Sequence, residues 1–184
     1  MRKGKGNKRM RWHVIAETVG MDMATGVELG VLEGTCSGEL LARMGRLELY
    51  MIDRWKAYPQ DEQEKAPLSK MPRRGQDYFD EMHERAKAVA AKYPQRAIIV
   101  KGDTARAAEY KRVPDVVDFV FFDARHDKEG LERDIVAWLP KVRDGGALFF
   151  HDYCSKNHPD VKAVVDALFP DIKVDADKMA VVRV

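Results

Sequence analysis

Short apolar runs alternate along the chain with stretches of helical period. This is the pattern of a mostly parallel sheet with helices on both faces. His13 to Val19 predicts a short leading helix, Thr25 to Gly30 a first strand and Ser37 to Met44 a first crossover helix. Leu47 to Ile52 reads as the second strand, with Asp53 at its end. Gln76 to Lys92, rich in alanine and charge and stopped by Pro94, reads as a long helix. Ala97 to Val100 is a third strand, Thr104 to Tyr110 a short helix, and Val116 to Phe122 a fourth strand, apolar throughout except for Asp118. Lys128 to Leu139 is a helix ended by Pro140. Ala147 to Phe150 is a fifth strand, entered through Gly145 and Gly146. His158 to Phe169 is mostly helix, with Pro159 suited to its first turn. Ile172 to Val174 and Met179 to Val184 form a final pair joined by Asp175 to Lys178. So short a connection demands antiparallel pairing. The expected sheet has seven strands and is doubly wound, mostly parallel, with an antiparallel last strand.

One segment breaks the rhythm. Arg54 to Gly75 carries Pro59, Pro67 and Pro72 among many charges. An irregular stretch of that length inside a compact domain is expected to be a lid or an insertion loop. At 184 residues, with 45% hydrophobic and 34% charged positions, the chain fits one soluble globular domain. No apolar run is long enough to span a bilayer. Two cysteines, Cys36 and Cys154, make no disulfide framework, so a reducing cytoplasm is expected. The net charge of +2 conceals an asymmetry, because Arg2, Lys3, Lys5, Lys8, Arg9 and Arg11 crowd the first eleven residues. No apolar stretch follows them, so they are not read as a secretory signal. Residues 1–12 are expected to be a basic disordered leader and 13–184 the domain. Such a leader is either simply solvated or holds the phosphates of a nucleic acid.

Ligands of open α/β sheets bind outside the carboxyl ends of the strands. The five predicted parallel strands end on Glu28 with Gly30 and Gly34, on Asp53, on Gly102 and Asp103, on Asp123 with His126 following, and on His151 and Asp152. An acid at all five ends points to a site. The glycine pattern selects the ligand. A dinucleotide site has a glycine where this chain has Glu28, because an anionic pyrophosphate must approach backbone N–H groups. An acid there repels pyrophosphate and favours a sulfonium ligand carrying an ammonium group. Asp53 suits two ribose hydroxyls, and Asp103 is placed to accept from an adenine amino group. The ligand that combines these features is S-adenosylmethionine.

These residues lie in a longer set of matching stretches. They are Val27 to Gly34, Tyr50 to Trp55, Lys101 to Thr104, Asp118 to His126, Asp134 to Pro140 and Asp144 to Tyr153. In them the chain resembles the class I S-adenosylmethionine-dependent methyltransferases, and more narrowly the branch of macrocin O-methyltransferase and cephalosporin hydroxylase relatives. The resemblance implies a Rossmann-like seven-stranded fold and, as activity, O-methylation of a small-molecule or sugar hydroxyl. It implies that Glu28, Gly30 and Gly34 bind the methionine part of the cofactor, Asp53 the ribose and Asp103 the adenine. Asp123 borders the cofactor, and Trp55 either packs on it or anchors the core or lid. His126-Asp127-Lys128 stands where the family often has His-Ser-Tyr, and relatives often carry extra acceptor-shaping helices, so the acceptor stays open.

Asp123, His151 and Asp152 stand at the ends of neighbouring strands and leave three readings. Some relatives hold Mg²⁺ with acids at these places, and His151 would make such a site softer. Alternatively, His151 or His126 is a general base for the acceptor hydroxyl, or His151 is structural. His13, His83 and His158 read as ordinary helix or surface residues. Two other functions also remain, a nucleic-acid methyltransferase using the basic leader and a non-catalytic cofactor-binding protein.

Overall fold

The computed structural model describes residues 10–20, 23–60 and 73–184. Most of the expected leader (1–9) and the centre of the expected lid (61–72) lie outside the described residues. Helix α1 (Arg11–Val19) starts two residues earlier than its apolar pattern indicates, so Arg11 and Trp12 belong to the domain and not to a leader. The Met10 N–H is met by His13 Nδ1 at 3.1 Å, which satisfies one donor at that end.

The sheet contains β1 (Ala24–Leu29), β2 (Leu47–Asp53), β3 (Ala97–Lys101), β4 (Val117–Phe122), β5 (Val142–Phe150), β6 (Lys173–Asp175) and β7 (Met179–Arg183). Their order is β3-β2-β1-β4-β5-β7-β6. The first five are parallel, and β7 runs antiparallel to both neighbours. Between them run α2 (Thr35–Arg43), α3 (Gln76–Ala90), α4 (Lys128–Trp138) and α5 (Pro159–Leu168). The short helix after β3 is a single 3₁₀ turn, Arg106–Glu109. The fold is thus the Rossmann-like, doubly wound seven-stranded sheet that the sequence implies.

The period of two divides each strand between two cores. Val27, Leu29, Ile52, Val120, Phe122, Leu148 and Phe150 point to one face, where Leu131, Ile135, Trp138 and Val165 from α4 and α5 cover them. Leu49, Met51, Phe119, Phe121 and Phe149 point to the other, under Ile15, Leu40, Met82 and Ala86 from α1, α2 and α3. Both faces are covered, which is why the strands read as continuous apolar runs.

Strand β5 is longer than its apolar run. It starts at Val142, and its pairing with β4 jumps from Val117↔Val142 to Phe119↔Ala147, so residues 143–146 bulge. Asp118, the polar exception in β4, serves this end of the sheet. Its carboxylate accepts the Thr25 N–H at 2.6 Å and Arg143 Nε at 2.5 Å.

Gly26 shows how tightly β1 and β4 pack. A methyl group on it would lie 2.1 Å from the Phe119 ring. Gly26→Ala is expected to cost about 1–3 kcal/mol in urea unfolding, as overpacked cores do. Adding Phe119→Leu should return part of that loss; an alanine variant as stable as wild type would contradict the packing.

Candidate functional site

The carboxyl ends of β1, β4 and β5 meet at one acidic centre. Gly30 permits it. With φ of +88°, it carries the chain off β1 so close to β4 that a Cβ would sit 2.4 Å from the Asp123 carbonyl oxygen. Only glycine fits that conformation and that gap. Just before it, Glu28 is 2% exposed and accepts a hydrogen bond from the Ser37 hydroxyl at the start of α2. Burial pushes its carboxyl up to about 8, against the opposing effects of Ser37 and Arg11.

Asp123 follows β4 and divides its two oxygens. Oδ2 accepts from Arg11 Nη1, which reaches across from α1. Oδ1 faces histidines, 3.1 Å from His151 Nδ1 and 3.5 Å from His126 Nε2. Asp152 repeats the arrangement. Its Oδ2 lies 3.3 Å from His151 Nδ1 and 3.5 Å from His126 Nε2, while Lys178 Nζ is 3.8 Å from Oδ1. Burial opposes ionisation of both acids, but the histidines outweigh it and hold both below the usual carboxylate range. Burial alone would discharge His151; the facing Asp123 and Asp152 push it instead up to about 9. Asp152 has φ of +58°, unusual for a residue with a side chain.

Three further residues join this centre. His158 lies with its ring centroid 4.3 Å from that of His126, and its Nε2 is 4.0 Å from Asp152. It is therefore not the ordinary helix residue its sequence position suggests. Asp177, in the β6–β7 turn, accepts the Arg11 backbone N–H at 3.2 Å and lies 4.0 Å from His151 Nε2. Arg11 is the third. The antiparallel return of β7 explains Asp177. Ala180 pairs with Phe150, so the turn before β7 must sit over the end of β5. Arg11 left no signal, since its partner is 112 residues away and its charge merged with the basic run.

The sequence matches the family described as methyltransferase domain over residues 27–153. The chain belongs to this family. It is an enzyme of the class I S-adenosylmethionine-dependent methyltransferase type. Among solved structures, it resembles the calicheamicin methyltransferase CalS11 with a TM-score of 0.69 at 16% identity, over 94% of this chain and 76% of that one. The O-methyltransferase NovP matches with a TM-score of 0.67 at 16% identity, over 92% and 74%. The SAH-bound methyltransferase PaMTH1 of Podospora anserina matches at 0.60 and 13%, over 87% and 71%. These likenesses show the fold. No curated protein matches the sequence. Among the described residues, no helix is long and apolar enough to cross a membrane.

The remaining expected cofactor residues of the methyltransferase lie along the same edge of the sheet, apart from the acidic centre. Asp53 accepts the Leu32 N–H at 2.9 Å and the Trp55 N–H at 2.8 Å, which binds the turn after β1 to the end of β2. Gly34, with φ of +82°, then opens α2. Trp55 is fully buried, donates its indole N–H to the Leu32 carbonyl at 2.7 Å and stacks on His83. Of its two expected roles, its surroundings carry the core anchor. Asp103 accepts the Arg106 N–H at 3.1 Å and pairs with Arg133 at 2.9 Å.

Glu28 makes stability depend on pH. Its carboxyl is raised in the folded state, so its ionisation opposes folding. That loss begins above the unfolded value near 4.5 and is complete once the pH exceeds about 8. Glu28→Gln removes it. The stability of wild type relative to Glu28→Gln is therefore expected to fall, by a few kcal/mol, from pH 5 to pH 9 in denaturant titrations. A difference that stays flat would contradict the buried, raised carboxyl.

Proposed function

We propose that this methyltransferase moves the methyl group of S-adenosylmethionine to a hydroxyl oxygen of a small-molecule or sugar acceptor. The observation that carries this reading is the histidine–carboxylate centre of Asp123, His126, His151 and Asp152, adjoining the Glu28–Gly30 segment. In the reaction, the acceptor oxygen attacks the methyl carbon. The carbon–sulfur bond breaks, its electron pair stays on sulfur as a neutral thioether, and the hydroxyl proton must leave. A centre that manages that proton suits an oxygen acceptor.

In this reading, Glu28 meets the ammonium group of the methionine part, and Gly30 and Gly34 let the backbone approach it. Asp53 keeps a lone pair on each oxygen for ribose hydroxyls beside its two backbone bonds. Asp103 accepts from adenine at a partly exposed position where Arg133 can share it. The carboxylates of Asp123 and Asp152 that face His151 favour its imidazolium form in the absence of a cation. This reading therefore gives deprotonation to His126, or to a divalent cation held by Asp123, His151 and Asp152. The residues fit a cation, because His126 Nε2 and His151 Nδ1 are buried without an aligned hydrogen bond. A bound cation would draw charge from the acceptor oxygen and lower the pKa of its hydroxyl.

Calorimetry at pH 7 tests the cofactor. S-adenosylmethionine is expected to bind and NAD not to. Comparing buffers of different ionisation heat should reveal release of up to about one proton, because the arriving ammonium group converts a protonated Glu28 to carboxylate. Glu28→Gln should abolish that release. Preferential NAD binding would overturn the reading.

A further inference from the structure

We infer that Asp123, His126, His151 and Asp152 form a four-ligand site for a transition-metal ion of the zinc class, in place of an all-oxygen magnesium site. The function of that ion, activating an acceptor hydroxyl, rests on the reading above; the ligand set and its metal preference do not. Three observations carry the inference.

The first is a pair of buried ring nitrogens. His126 Nε2 and His151 Nδ1 both face the same two carboxylate oxygens at 3.1–3.5 Å, and neither forms an aligned hydrogen bond among the described residues. His151 as a whole is 9% exposed. Buried polar atoms left in this way need an explanation, and an ion is one of the few available.

The second is spacing. The four nitrogen–oxygen separations are 3.1, 3.3, 3.5 and 3.5 Å, and all four donor atoms lie within 4.8 Å of one another. These separations are short enough for one ion to reach all four donor atoms, and imidazole donors favour a borderline ion over Mg²⁺.

The third is how the charges are divided. Each carboxylate turns one oxygen outward to a cationic side chain, Asp123 to Arg11 and Asp152 to Lys178, and the other inward to the histidines. The inward set has two carboxylates and two imidazoles, which a divalent ion neutralises. Around it, Asp177 lies 4.0 Å from the second nitrogen of His151, and the ring of His158 lies tilted beside that of His126. Neighbours of this kind orient ligating imidazoles. His126 is on this account a ligand and not the base.

The test uses the untagged full chain stripped with a chelator. Co²⁺ is titrated while the visible ligand-field bands are recorded, and Zn²⁺ and Mg²⁺ are titrated by calorimetry. One equivalent of Co²⁺ is expected, with the strong bands of a four-coordinate nitrogen–oxygen site. Zn²⁺ should displace it, and Mg²⁺ should bind at least ~100-fold more weakly. His126→Ala and Asp152→Asn should each weaken Co²⁺ binding about 10-fold or more and alter the bands, with circular dichroism unchanged. His126→Asp, which restores an oxygen donor, should narrow the gap to Mg²⁺. Mg²⁺ binding as tightly as Co²⁺ in wild type, or a His126→Ala variant with wild-type Co²⁺ affinity, would overturn the inference. S-adenosylmethionine binding is measured on the same samples. Its loss with the metal response intact would sink the proposed function alone, and the reverse would sink this inference alone.

Discussion

Asp123 stands directly after the central strand β4 with its carboxylate largely buried, its side chain 15% exposed. A buried carboxylate costs several kcal/mol unless its charge is met. Here it is met from two directions, and each direction commits a part of the fold. Arg11 meets it from α1, which fixes the N-terminal helix against the sheet. His151 and His126 meet it from the loops after β5 and β4. Arg11 is in turn held by Asp177, which closes the β6–β7 turn over the same spot. One carboxylate therefore ties together elements from both ends of the chain. Glu28, near the end of the neighbouring strand β1, lies in the same field, but there burial outweighs the hydrogen bond from Ser37 and the charge of Arg11, which is why its charge is suppressed while that of Asp123 is kept.

The edge of the sheet then divides into two zones. On the β2–β3 side, Asp53 and Asp103 are already occupied by backbone N–H groups and by Arg133. These acids shape turns. On the β4–β5 side, the acids exceed what the fold needs, and cations are drawn in to balance them. In the proposed reading, a sulfonium cofactor adds positive charge to that second zone, beside Arg11 and the histidines.

The strand order, the double winding and the reversed β7 could all be read from the sequence, because both faces of the sheet are covered and each strand declares itself as an apolar run. The row of acids could be read for the same reason, since parallel topology places every strand end on one edge. What could not be read was pairing across long distances. Arg11 looked like one more charge in a basic run, and only the docking of α1 through Val14 and Ile15 gives it a partner. His158 looked like a residue ahead of a helix, and only the packing of α5 beside the β4 loop sets it against His126. Trp55 could be read as important but not in which way; its indole N–H bond to Leu32 is a tertiary contact with no local signature. The start of β5 was hidden by its bulge, where the period of two is lost.

Backbone strain follows the same geography. Six residues other than glycine have positive φ among the described residues, and five of them, Leu32, Trp55, Asp152, Asp177 and Lys178, stand at the carboxyl edge of the sheet. Gln95 is the exception, in a turn at the opposite end. Each such conformation carries a cost, on the order of 1 kcal/mol or more, that the rest of the domain must hold in place. The opposite edge contributes to that hold. Asp118 bonds Thr25 and Arg143, Arg96 bonds the carbonyls of Leu41, Met44 and Leu47, and β4 is locked between β1 and β5. The turns at the carboxyl edge are bent by these conformations so that Asp53 faces two backbone amides, Trp55 reaches under Leu32, and Asp152 and Asp177 both face His151. Relaxing any one of them would turn a carboxylate or an indole away from its partner. The strain is the means by which a sheet of parallel strands, whose ends all point the same way, makes its side chains converge.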